Sequence, residues 1–163
     1  MDFELTQEMK MLKEMAYKFA VAEVGPVSQE CDEHEKYTPE IRKKAAANGL
    51  VGAWIPEAYG GSGAGILGNT IITEEVSKVD MGIGLNIVAS GFGCESILNY
   101  GSEEQKNKYL PILCSGEKIG GLSVTEPGGG SDFAGQAASA EKIDSGWVLN
   151  GRKCFITNAG IAD

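Results

Sequence analysis

Histidine is almost missing from this chain: of its 163 residues, one, His34, carries an imidazole. A Ser-His-Asp triad would have to be assembled around it, and nothing nearby supports one. Cysteine is sparse as well. Cys31, Cys94, Cys114 and Cys154 stand far apart, with no Cys-x-x-Cys pair among them. A zinc site needs clustered thiolates and imidazoles, so no metal is expected. Cys31 and His34 do sit three apart, but within an acidic run that reads better as a solvated helix end. Reduced thiols in a cytoplasmic protein fit this usage. Basic residues are also in deficit: 14 Lys and Arg against 23 Asp and Glu leave a net charge of -9. Binding a phosphate backbone needs a clustered basic face, so a nucleic-acid partner is excluded. No run approaches the roughly 20 apolar residues of a membrane span. The acidic start, with Asp2 and Glu4, lacks the basic region and apolar core of a secretion signal.

What is present is ordinary for a folded domain: 42% hydrophobic and 23% charged residues. The length suits one medium domain, or one domain and part of another. Met9, Leu12, Ala16, Phe19 and Ala20 recur every three or four positions after Thr6, which predicts an amphipathic helix. Pro26 is expected to break or kink it. Thr38-Pro39-Glu40 opens a second helix, with threonine as cap and proline at the first position, and Asn48-Gly49 stops it. A third helix is expected over residues 67–79. A more apolar helix is expected over 85–98, buried because it is apolar on most sides. Ser102 and Gln105 form a capping box for a last helix that ends near Cys114, with Tyr109, Leu110 and Leu113 facing the core.

After Gly116 the rhythm changes. Residues 118–124 form a short apolar run, and residues 136–143 and 147–154 read as two strands around the turn signal Asp144-Ser145-Gly146. Phe155-Ile156-Thr157 leads toward a further strand. Helices first and strands second predict an α+β, multi-domain arrangement: an all-α helical bundle over 1–117, then the first strands of a β domain over 118–163. Three or so strands do not make a stable two-layer sheet. The chain is therefore expected to be a fragment whose unpaired sheet edge favours aggregation or dependence on a partner.

Two glycine-rich segments invite a chemical reading. Gly63, Gly65 and Gly68 make a literal Gly-x-Gly-x-x-Gly. A dinucleotide fingerprint must follow a strand, whereas the flanks here read as helical, so a loop between helices is the better assignment. The second segment is Thr-Glu-Pro-Gly-Gly-Gly-Ser-Asp at residues 125–132. Its glycines allow close backbone approach to a ligand, and successive N–H groups in such a turn can cradle an anion. On composition alone a plain hairpin linker is the favoured reading, since glycine and proline clusters mostly mark turns.

Longer stretches carry a resemblance. Residues 122–132, Leu-Ser-Val-Thr-Glu-Pro-Gly-Gly-Gly-Ser-Asp, followed by Asn-Gly-Arg-Lys-Cys-Phe-Ile-Thr-Asn-Ala at 150–159, resemble the flavin-binding signature of acyl-CoA dehydrogenases. The opening Met-Asp-Phe-Glu-Leu-Thr resembles that family's first helix start. Ile-Pro-Glu-Ala-Tyr-Gly-Gly at 55–61 resembles its loop between early helices. Tyr-Gly-Ser-Glu-Glu-Gln-Lys-Asn-Lys-Tyr at 100–109 resembles the approach to the last helix of its first domain. The closest likeness is to bacterial short-chain, butyryl-type members.

The resemblance implies an FAD lying between a β-barrel-like middle domain and a C-terminal helical domain that this chain lacks. Leu122 and Val124 would then offer backbone groups and apolar contact, and Thr125 a hydroxyl to the pyrimidine edge of the flavin. Gly130 and Ser131 would face the phosphate and substrate side, with Ser131 reaching the thioester arm of an acyl-CoA. Phe155 stands where the family often has tryptophan, on the flavin face away from substrate; it keeps the ring and loses the indole donor. Ile156 would line the site. Thr157 would set its hydroxyl near flavin N5, where a donor stabilises the charge of the reduced ring. From residues alone, Phe155, Ile156 and Thr157 also read as plain strand positions.

The implied chemistry is α,β-dehydrogenation of an acyl-CoA by a glutamate base beyond Asp163. Glu74, Glu75, Glu95, Glu126 and Glu141 are not at its position, so no catalytic residue is assigned here, and the chain alone is expected to be inactive. Electron-transferring flavoprotein as acceptor, a homotetramer and a cytoplasmic location follow from the same likeness. Ser90, Gly91, Phe92, Gly93 and Cys94 are expected to wall the acyl cavity. The competing readings are a related flavin-dependent oxidase, reductase or monooxygenase, and a non-catalytic helical interaction module.

Overall fold

The structure is a computed structural model describing residues 3–36, 38–89 and 91–163. Helix α1 (Gln7–Phe19) starts where its cap signal lies: the Thr6 hydroxyl accepts the Met9 amide at 3.3 Å. The expected break at Pro26 takes another form. Residues Ala20–Val24 widen into a π-helical turn, and α2 (Gly25–Glu33) continues directly from it. The Gly25 amide reaches back five residues to the Ala20 carbonyl. Pro26 falls in the first turn of the new helix, where a residue without an N–H is tolerated, and the wide turn before it carries the helix through the proline instead of ending it.

Helix α3 (Pro39–Ala47) has proline at its start and ends at Asn48 and the left-handed Gly49, φ 69°, although the Thr38 side chain makes no capping bond. Helix α4 (Gly65–Ser77) lies against α1 and α5 (Met81–Ala89). The Gly63/Gly65/Gly68 segment follows no strand and opens α4. A Cβ on Gly68 would lie 2.5 Å from that of Ala64 and 3.2 Å from Leu12, so this glycine serves close packing of α4 on α1. Val24, Leu50, Ile72, Val76 and Ile87 are sealed at the centre of this layer.

The apolar stretch expected as one helix over 85–98 is two. Helix α5 ends at Ala89, residues 91–93 turn, and α6 runs Cys94–Tyr100. Gly93, φ 93°, makes the turn that a continuous helix excludes. Met81–Tyr100 has the length and mean hydropathy, 1.3, of a membrane span. That turn interrupts it, however, and Ile83, Ile87 and Cys94 are buried within the protein. Helix α7 (Glu103–Cys114) opens with the complete capping box: the Gln105 amide donates to Ser102 and the Ser102 amide to the Gln105 side chain. Leu110 and Cys114 join Ile55 and Cys94 in a second core cluster. Tyr109 is not sealed in that core as expected; it is 42% exposed and lines a cavity with Ile97, Leu113 and Ile156.

Beyond α7 one hairpin forms among the described residues: β1 (Ser139–Ile143) pairs antiparallel with β2 (Gly146–Asn150), Ala140 opposite Leu149. Helical region first and two-stranded sheet second is the α+β order expected. The strands are shorter than the composition suggested, and two expected strands are absent among the described residues. Residues 118–124 run extended without a ladder partner. Residues 136–138 are drawn out of β1 because their polar groups bind elsewhere: the Ala137 and Ala138 amides donate to the Glu126 carboxylate. Phe155-Ile156-Thr157 bends sharply, with Phe155 at φ 55°, and passes into a turn.

Candidate functional site

Two stretches some thirty residues apart meet in one groove. The extended segment 122–125 and the bent segment 155–157 are joined where the Cys154 amide donates to the Thr125 carbonyl at 2.9 Å. Leu122, Val124, Thr125, Phe155, Ile156 and Thr157 line a cavity of about 210 Å³, closed on its third side by Phe92 and Glu95. Its walls combine aliphatic and aromatic side chains with two hydroxyls and the Glu95 carboxyl. Phe155 is 92% exposed and left-handed, which rules out the reading of it as strand core. A bulky residue with positive φ is rare and is retained where surroundings over-determine it, often at a ligand site.

Gly130 and Ser131 lie off this groove. A Cβ on Gly130 would come 3.1 Å from the Thr125 hydroxyl, so glycine is what lets the loop fold against that side chain. Ser131 is exposed and touches no other predicted site residue among the interactions described. In the glycine-rich turn, Glu126 and Gly129 exchange backbone hydrogen bonds of 3.0 Å in both directions, which commits two of its amides; Gly128 and Gly129 line a separate cavity of about 330 Å³ with Asp132 and Arg152.

The sequence reading missed what holds the groove. Glu126 is 8% exposed and accepts from three donors: Lys153 at 2.8 Å and the amides of Ala137 and Ala138 at 2.7 and 3.0 Å. The Lys153 ammonium and these amides hold the Glu126 carboxyl down at about 2, well below the usual carboxylate range. Lys153 also donates to the Val124 carbonyl at 3.1 Å and to Gln136 at 2.8 Å, and Gln136 donates to the same Val124 carbonyl at 3.0 Å. One ion pair thus clamps the backbone that carries Val124 and Thr125. In the sequence Glu126 is one residue of the 125–132 segment, with no role of its own. Nothing in its spacing announced Lys153, 27 residues away.

Of the expected acyl-cavity wall, Phe92 borders the groove from the turn after α5, while Cys94 is buried in the α6–α7 cluster. Burial pushes the Cys94 thiol up to about 12 and the Cys114 thiol up to about 11, so both stay protonated. Ser90 lies outside the described residues. No group of three or more metal-binding side chains occurs among the described residues.

Family profiles match nearly the whole chain: acyl-CoA dehydrogenase, N-terminal domain, over residues 6–117, and acyl-CoA dehydrogenase, middle domain, over residues 121–163. The chain belongs to the acyl-CoA dehydrogenase family. A short-chain-specific acyl-CoA dehydrogenase of Clostridium acetobutylicum is 42% identical over 100% of this chain and 43% of its own length. The acryloyl-CoA reductase (NADH) of Anaerotignum propionicum is 41% identical over 99% of the chain and 42% of its own. Among solved structures, an acyl-CoA dehydrogenase of Bacillus anthracis complexed with FAD superposes with a TM-score of 0.88 at 38% identity, covering 98% of this chain and 28% of that one. The chain thus spans less than half the length of the curated relatives it matches. Within the acyl-CoA dehydrogenase family, the groove's aliphatic side chains, exposed aromatic ring and two threonine hydroxyls suit a planar ring with a polar edge. These residues fit FAD.

Proposed function

We propose that this chain supplies the helical domain, residues 1–117, and the start of the middle domain, 118–163, of an FAD-dependent oxidoreductase that dehydrogenates an acyl-CoA thioester between its α and β carbons. FAD, when bound, supplies the acceptor, at flavin N5, for the hydride leaving the β carbon. Leu122, Val124 and Ile156 exclude water from one side of the groove, and Phe155 offers its ring face as a stacking surface. Thr125 and Thr157 present hydroxyl donors to the polar edge, where a fixed donor stabilises accumulating negative charge. Gly130 and Ser131 face the phosphate and thioester side, Ser131 as a substrate contact. Phe92 limits the depth available to the acyl chain. The α-proton is taken by a carboxylate that is not among these residues, so the chain by itself binds and orients without turnover. Electron-transferring flavoprotein as electron acceptor, a homotetramer and a cytoplasmic setting complete this reading.

The observation that carries it is the groove. Six of the eight residues chosen from sequence for cofactor contact come together there, from separate stretches. The test is an absorbance spectrum of the purified full-length gene product, which carries the α-proton base, as isolated and after anaerobic addition of butyryl-CoA. Flavin bands that bleach support a short-chain dehydrogenase, whereas a colourless protein that FAD cannot reconstitute sinks the proposal. Phe155→Ala should weaken FAD binding about tenfold, the scale of a lost aromatic stack. Because the ring is 92% exposed, its loss should leave the melting temperature unchanged.

A second reading runs the chemistry in reverse. The similarity to an acryloyl-CoA reductase is nearly as high as to a dehydrogenase. Oxidation of NADH that depends on added acryloyl-CoA would favour it.

A further inference from the structure

Three pieces of backbone wall the groove: the turn after α5 that carries Phe92, the extended segment 122–125, and the bend 155–157. One side chain reaches behind all three. Asn158 Nδ2 donates at 3.0 Å to the Ala89 carbonyl and at 3.0 Å to the Gly120 carbonyl. The Ala89 carbonyl closes α5 and also accepts the amide of Phe92 at 3.0 Å, so the first wall hangs from the same oxygen. Gly120 lies two residues before Leu122. Asn158 itself follows Thr157, and its own carbonyl accepts the amides of Ile161 and Ala162 at 2.8 and 2.7 Å, closing the turn.

The backbones here pass close to one another. A Cβ on Gly93 would lie 3.3 Å from the Gly121 carbonyl oxygen, and one on Gly121 would lie 3.6 Å from the Thr157 oxygen. Asn158 sits at φ 67°, a conformation that asparagine tolerates better than most residues. Its amide nitrogen has two N–H donors and spends both on this crossing.

We propose that Asn158 is a positioning residue for the flavin groove, a cross-link between the helical domain and the middle-domain segments that sets the distance between Phe92, Thr125 and Thr157. The inference rests on the flavin reading for its functional consequence. Its geometry is independent of that reading.

Two substitutions test it in the purified gene product. Asn158→Gly keeps the left-handed backbone and removes both donated bonds. Asn158→Asp keeps the shape and turns a carboxylate oxygen toward two carbonyl oxygens. Each folded variant should show FAD affinity lowered about tenfold, the scale of a lost positioning hydrogen bond, with an altered band shape of the bound flavin. Asp should be the worse of the two. A lowered melting temperature with unchanged affinity and band shape would mean a merely structural role and overturns the proposal. If the unsubstituted gene product takes up no FAD, the flavin reading fails by itself, and amide exchange of the ligand-free protein decides the cross-link. Faster exchange at residues 119–125 and 155–162, with α1–α4 unchanged, upholds it; unchanged exchange in those walls refutes it.

Discussion

The helical region and the segment after α7 are held together by different physics. In the first, apolar side chains from α1 to α7 form two sealed clusters, and Leu50, Ile55, Ile72 and Leu110 are wholly buried. In the second, Ile119 and Glu126 are the buried side chains among the described residues, and every position of β1 and β2 is exposed. Order there comes from directed polar contacts: the Glu126–Lys153 clamp, the Asn158 cross-link, and Asp163, whose carboxylate accepts Lys118 and the Ile119 amide at 2.8 and 3.0 Å. Burial of apolar area is non-directional and tolerates variation. Hydrogen-bonded frames specify positions to within a fraction of an ångström and fail when one partner is lost. A scaffold suits the first and a binding groove the second.

The comparison can be broken most forcefully in the helical core. Leu110→Ala should cost about 2–5 kcal/mol in urea denaturation, because it empties a sealed site between α6, α7 and the 50s loop. A loss below about 1 kcal/mol would mean that this cluster does not carry the region.

An intermediate effect separates the polar frame from the core. The Glu126 carboxyl is held at about 2 when folded, below its ordinary 4.5. A depressed acid contributes stability that is fully present above its unfolded value and lost as pH falls through the folded one. Protection of the Ala137 and Ala138 amides should therefore be complete above pH 4.5 and decline toward pH 2, while α5 amides keep theirs. Glu126→Gln should abolish that pH dependence. Equal loss in both regions would show a single cooperative unit.

The smallest effect is expected on the hairpin. Leu149 is 77% exposed, and Leu149→Ala should change stability by no more than about 0.5 kcal/mol in the same denaturation assay. A larger loss would show that this face is covered in solution.

How legible each feature was follows from how local its cause is. Thr6, the Ser102–Gln105 box and Asn48-Gly49 were read correctly because a cap is decided within four residues. The split of the apolar stretch after Ala89 was missed: its composition favours burial, and only Gly93, pressed against Gly121, marks the turn. Strand propensity misled at Phe155, where a left-handed bend wins over β preference. The groove residues themselves were found through resemblance, since neither spacing nor composition distinguishes Thr125 or Thr157 from ordinary strand threonines.

The sequence by itself determined the helices-then-strands order, the Thr6 and Ser102 caps, the turn at residues 144–146 and the family, all of which rest on local periodicity or on contiguous motifs. The tertiary structure alone decided that residues 122–125 and 155–157 face one another, that Glu126 is a clamp, and that Asn158 ties Ala89 to Gly120. Those three depend on partners 27 to 69 residues distant in the case of Lys153 and Ala89. A hydrogen bond is defined by the position of its acceptor, and that position exists only once the helices have packed.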